Sequence, residues 1–202
     1  MHLGIDLDNT LIRYDRAFHA VAVGWQLVDR SFPTSKQAIR AELRSRPDGE
    51  REWTRLQGEV YANRMDLAEL SPGAEGLLRQ CRVRDIPVSV VSHKTVYPAI
   101  GPRVDMRETA LSWLERAGLL SPAVLGLSRD RVWFEETRAA KAARIAALGC
   151  THFVDDLVEV FLEPSFPRGV TRILCGEDGV APGILCLASL DAVRDRLLGV
   201  AV

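Results

Sequence analysis

Apolar positions along this chain follow two rhythms. Short, nearly continuous apolar runs cover 2–7, 87–92, 130–134, 151–155 and 170–175, and each reads as a strand. Apolar residues at helical spacing cover 17–28, 36–44, 50–63, 74–84, 108–117, 139–148, 157–162 and 189–198. Pro33-Thr34-Ser35, Ser45-Arg46-Pro47-Asp48-Gly49 and Ser71-Pro72-Gly73 punctuate the pattern as turns and helix entries. The two rhythms are unevenly distributed. Three helices follow the first strand with no strand between them, so 16–70 reads as all-helical. Beyond 71, strands and helices alternate, which implies a mostly parallel sheet covered on both faces. The expected organisation is an α/β body from 1–15 and 71–202, with a small helical insertion at 16–70. There is no internal repeat and no low-complexity segment.

Composition narrows the function classes. The chain has 202 residues, enough for one domain or one domain with a sizeable insertion. With 47% hydrophobic and 26% charged residues it is an ordinary globular composition. A net charge of -1 without a basic tail gives no reason to expect nucleic acid or an anionic membrane as partner. No apolar run spans a bilayer, and the N-terminus lacks a signal-peptide pattern, so a cytoplasmic setting is expected. None of the four cysteines forms a C-x-x-C pair, and Cys81, Cys150 and Cys186 are expected as buried thiols. Trp25, Trp53, Trp113 and Trp133 are expected in cores. Oligomeric state is not legible.

Polar residues concentrate where strands end: Asp6 and Asp8, Ser92-His93-Lys94, the stretch 135–141, and Asp155-Asp156. Parallel sheets bind ligands at that edge. Asp6 and Asp8, two apart on a strand, face the same way. Two acids so close repel unless a cation or a shared proton relieves them, which suits a hard metal such as magnesium and phosphoryl chemistry. Each group also has a plainer reading. Asp155 and Asp156 would serve as helix caps, Ser92 as a turn cap, and Lys141 as a solvated helix lysine. The chain has only three lysines, Lys36, Lys94 and Lys141, among 26 basic residues, so a lysine at a strand or helix end carries weight. Lys94 competes with Lys141 for the same role.

Taken in order, Asp6-x-Asp8-x-Thr10, Ser92 after an apolar run, Lys141 near a helix start and Asp155-Asp156 after a strand resemble the four motifs of the haloacid dehalogenase superfamily of phosphohydrolases. The resemblance covers nearly the whole chain. It implies a Rossmann-like sheet with a mobile helical cap inserted after the first motif. It also implies a magnesium site formed by Asp6, Asp155 and the main-chain carbonyl of Asp8, with Asp156 ligating or acting through water. Asp6 would be the nucleophile, Asp8 the proton donor and acceptor, Ser92 a phosphoryl-oxygen partner, and Lys141 the neutralising cation. Asp8 favours phosphoryl transfer over dehalogenation. Asn9 stands where glycine is usual, and asparagine tolerates a left-handed backbone better than most residues.

The implied reaction is hydrolysis of a small phosphorylated metabolite, with a phosphomutase, a phosphonate hydrolase or a catalytically silent binding module as alternatives. Phosphonate cleavage would need a cap amine, and Lys36, the only lysine in the helical block, looks like a surface residue. Between Ser92 and Lys141 there is little room for a second cap. Thr10, Arg13, His93, Lys94 and Arg103 are expected to line the substrate site. The last three flank a long Pro/Gly-rich loop after a strand, a common place for functional residues. Tyr14 and Asp15 lie at the expected hinge. Glu135 and Glu136 are weaker candidates for the substrate site, and Glu159, one turn beyond Asp155-Asp156, would support the metal site or lie on a solvated face.

Overall fold

A computed structural model describes residues 1–176 and 182–199. The chain packs into two compact units. One comprises 1–12, 70–94 and 114–202, and the other 13–69 and 95–113. The helical block expected at 16–70 falls in the second unit except for Leu70, and 95–113 packs with it.

The first unit is built on a sheet of β1 (Leu3–Ile5), β4 (Val88–His93), β5 (Val132–Glu135), β6 (His152–Asp155), β7 (Thr171–Cys175) and β8 (Leu185–Leu187). The order is β5-β4-β1-β6-β7-β8, with every neighbouring pair parallel. Chain order reverses direction at β1: β4 and β5 extend the sheet one way, β6 to β8 the other. The carboxyl end of β1, between β4 and β6, is therefore the switch point where such sheets bind ligands. Two further strands, β2 (Ile12–Arg13) and β3 (Glu69–Leu70), pair with each other where the chain passes between the units.

Burial on both faces explains the apolar runs. In β4 everything from Val88 to Ser92 is buried. The helices of this unit are α4 (Ala74–Val83), α6 (Arg138–Ala147), α7 (Val158–Phe161) and α8 (Leu190–Leu198). Val91 and Phe153 pack with Ala142, Ile145, Val160, Phe161 and Phe166 into one core cluster. Gly4 allows a close approach here: a Cβ on it would lie 2.5 Å from a ring carbon of Phe153. Cys81, Cys150 and Cys175 are buried free thiols, and burial pushes each up to about 11. Cys186 was expected among them but is only half-buried, because β8 is the sheet's edge strand.

The second unit holds α1 (Asp15–Gly24), α2 (Lys36–Arg44), α3 (Gly49–Asn63) and most of α5 (Met106–Arg116). Helix α1 stops four residues earlier than its apolar spacing suggests, where Gln26 takes a left-handed backbone. Ser35 caps α2 by accepting the Ala38 N–H. The core is aromatic. Phe18 stacks on Trp53 with centroids 5.0 Å apart, and Tyr61 meets both Phe18 and Tyr14 edge to face. Helix α3 carries Gly58 against the main chain at Ile100, where a Cβ would stand 2.1 Å from the carbonyl oxygen. Trp53 and Trp113 are buried, whereas Trp25 and Trp133 are half-buried, each with an arginine over its ring. Among the described residues, no helix is long and apolar enough to cross a membrane.

Candidate active site

The site grows from the carboxyl edge of the sheet. The Asp6 N–H donates to the Val154 carbonyl at 2.8 Å, so β1 stays paired with β6 through its last residue and aims Asp6 at the edge. The chain then closes a tight loop. Leu11 and Ile12 both donate to the Leu7 carbonyl, and the Asn9 N–H donates to Ile12 at 2.7 Å. Closing it requires a left-handed residue, and Asn9 supplies one at φ 64°. Thr10, in the same loop, is buried with a hydroxyl that has no hydrogen-bond partner among the described residues.

Lys141 comes from the first turn of α6, whose start is fixed by Thr137 accepting the Ala140 N–H. The residue is 1% exposed. It donates to Asp6 Oδ1 at 2.5 Å and to Asp155 Oδ2 at 2.7 Å. Burial works against the Lys141 charge, but attraction and hydrogen bonds from both carboxylates overcome it and hold its pKa above the ordinary lysine value. Asp155, at the end of β6, spends its other oxygen on the Leu157 N–H at 3.0 Å. It therefore caps the following turn and binds Lys141 at once.

Carboxylate oxygens of Asp6, Asp155 and Asp156 lie within 4.8 Å of one another. Burial drives the Asp6 carboxyl well above the usual carboxylate range. Lys141 opposes this, while Asp155, Asp156 and Asp8 reinforce it. At Asp6, then, one ammonium does not offset burial and three neighbouring acids. An all-oxygen donor set with excess negative charge fits a hard divalent cation such as magnesium.

The carboxylate of Asp8 goes elsewhere. It is not part of the three-acid cluster; its Oδ2 lies 2.7 Å from Lys94 Nζ. Any metal contact from Asp8 would thus come from its main chain. Lys94 itself was expected at the substrate site, but its side chain is buried against Asp8. Ser92 is buried at the end of β4, in register with Phe134 on β5. His93 is exposed, with Nε2 3.0 Å from the Glu136 carbonyl. Glu135 binds Arg144. Arg13 and Arg103 belong to the second unit, where Arg13 pairs with Asp15 and Arg103 lies over the Tyr97 ring.

Two features escaped the sequence reading. The alternation that puts Asp6 and Asp8 on one side also puts Ser92 and Lys94 on one side, and that signal was available. Lys36 is not a plain surface lysine. It is half-buried, donates to the Tyr61 hydroxyl at 3.0 Å and lies 5.5 Å from the centroid of Phe18.

No protein-family model and no curated protein matches the sequence. Solved structures do match the fold. A haloacid dehalogenase superfamily hydrolase from Ehrlichia chaffeensis aligns with TM-score 0.59 at 17% identity, covering 96% of this chain and 94% of that one. A haloacid dehalogenase family hydrolase from Deinococcus radiodurans R1, solved with phosphate and sodium, gives 0.58 at 17% identity, covering 98% and 95%. Protein tyrosine kinase A of Mycobacterium tuberculosis gives 0.62 at 14% identity, covering 98% of both chains. Hydrolases and a kinase thus share this architecture, so the reaction has to be argued from the site. The chain has the fold of the haloacid dehalogenase superfamily hydrolases.

Proposed function

We propose that this chain is a magnesium-dependent phosphohydrolase that cleaves a small cytoplasmic phosphomonoester through an aspartyl phosphate on Asp6. The observation that carries the reading is the buried Lys141 ammonium held between Asp6 and Asp155. A solvated lysine accounts for neither the burial nor the two carboxylate partners. Ordinary capping accounts for one oxygen of Asp155 and leaves the other unexplained. Four free cysteines suit a reducing compartment.

The chemistry follows from these positions. An Asp6 oxygen attacks phosphorus as the bond from phosphorus to the ester oxygen breaks, and Asp8 gives that oxygen a proton. Water then attacks the phosphoryl group and passes a proton to Asp8. The Asp6–phosphorus bond breaks, the carboxylate is restored and phosphate is released. Lys141 offsets the repulsion between Asp6 and the incoming phosphoryl oxygens. Ser92 and the unpartnered Thr10 hydroxyl offer hydrogen bonds to those oxygens. Asp6, Asp155 and Asp156 would hold the magnesium ion, which when bound supplies charge neutralisation for the phosphoryl group.

The test is phosphate release from an aryl phosphate and from a panel of sugar and nucleoside phosphates, with and without magnesium. Wild type is expected to need magnesium, and Asp6→Asn to lose at least about 10⁴-fold in kcat. Turnover that survives in Asp6→Asn, or a folded, magnesium-loaded wild type inert on the whole panel, would overturn the reading.

A further inference from the structure

We propose that Lys94 is a positioning residue for Asp8: it holds the Asp8 carboxylate where protons must be delivered and removed, and does not bind substrate. The inference rests on the phosphohydrolase reading above. Its main chain is anchored, because the Lys94 N–H donates to the Glu135 carbonyl at 2.9 Å and extends the β4–β5 pairing beyond the last strand residue. Strand alternation then sends Ser92 and Lys94 to one side and His93 to the other. The exposures agree: Ser92 and Lys94 are 1% and 5% exposed, and His93 is exposed.

Burying an ammonium is costly unless it is paired, and here the pair is with Asp8 Oδ2 at 2.7 Å. Asp8 has reason to need a tether. Asp6 is fixed by Lys141, and Asp155 by Lys141 and the Leu157 N–H. Asp8 instead sits in the loop that turns at Asn9, beyond the end of β1. A carboxylate that must reach a leaving oxygen and later a water gains from a fixed rotamer, since a displacement of about 1 Å at a reacting group costs on the order of 10²-fold in rate. A lysine suits this place because its ammonium is a compact point charge, whereas a guanidinium would span both carboxylate oxygens.

The test separates the two steps of the reaction. With p-nitrophenyl phosphate and magnesium, the phenolate leaves without needing a proton, so the first step depends little on Asp8. The second step needs Asp8 to take the water proton. Lys94→Met is expected to release one rapid equivalent of phenolate and then turn over about 10²-fold more slowly than wild type. KM should not rise, and phosphoenzyme should accumulate after acid quench. A slowed first equivalent, or a raised KM without accumulation, makes Lys94 a substrate ligand and overturns the proposal.

Because Lys94→Met strips Asp8 of a buried partner, Asp8→Asn/Lys94→Met is compared with Asp8→Asn, neither of which leaves that carboxylate unpaired. Equal steady-state rates support positioning through Asp8, and a further loss overturns it. Failure of the phosphohydrolase reading looks different: wild type would show no turnover, or Asp6→Asn would keep it.

Discussion

The two units of this protein bury different things. The α/β unit buries ions: Asp6, Asp155, Lys94 and Lys141 are all nearly inaccessible. The helical unit buries rings: Phe18, Trp53 and Tyr14 are closed in, and its ion pairs, such as Arg16–Glu69, lie at the surface. Rings packed face to edge stabilise a fold at little electrostatic cost. Buried ions do the reverse. They cost desolvation, they are kept only when mutually satisfied, and in return they hold charges ready for chemistry. If Asp6 is the nucleophile, as proposed, the α/β unit is where stability is given up for function.

The sharpest way to break this contrast is Lys141→Met. It removes the cation between two buried acids, so both activity and stability should fall. We expect a loss of about 10²–10⁴-fold in kcat and about 3–5 kcal/mol in unfolding free energy, read by turnover and denaturant melts. Unchanged stability would mean that the acids are not stressed in the folded state. Phe18→Ala comes next. Losing the stacked ring should cost about 3–5 kcal/mol, as in other aromatic core truncations, while leaving the groups around Asp6 intact. A melt within experimental error of wild type would argue against an aromatic core.

Smaller effects sharpen the comparison at the level of packing. Gly58→Ala sets a methyl against the Ile100 carbonyl oxygen, and Gly4→Ala sets one against the Phe153 ring. Overpacking of this kind typically costs about 1–3 kcal/mol. Gly58→Ala should be the worse of the two, because main chain yields less than a ring, and equal melting temperatures would contradict that ranking. Glu69→Ala, which removes an exposed partner of Arg16, should cost less than about 1 kcal/mol. A larger loss would show that the helical unit relies on surface charge after all.

Much of this was legible from residue order. Asp6-Leu7-Asp8-Asn9-Thr10 and the Asp155-Asp156 pair announced a carboxylate site because alternation and strand ends are local properties. Lys141 was legible through its rarity in an arginine-rich chain. Lys94 was placed at the correct strand end, but its partner was not legible, since Asp8 lies 86 positions away and only strand pairing joins them. The β8 strand was missed because edge strands are short and only partly buried. The packing of 95–113 with the helices of the second unit is not legible in residue order, because adjacency along the chain says nothing of which unit a segment packs in.

Residue order is enough to read the alternation of strands and helices, the helical character of the block after the first motif, and which acids stand at strand ends. All of these are set by side-chain period and by neighbours within a few residues. The order of strands around β1, the division of the acids between Lys141 and Lys94, and the half-burial of Lys36 against Phe18 and Tyr61 come from the folded arrangement alone. Those outcomes depend on burial and on charges brought together from distant parts of the chain. An ammonium's choice of carboxylate is settled by distance and desolvation, which no local pattern encodes.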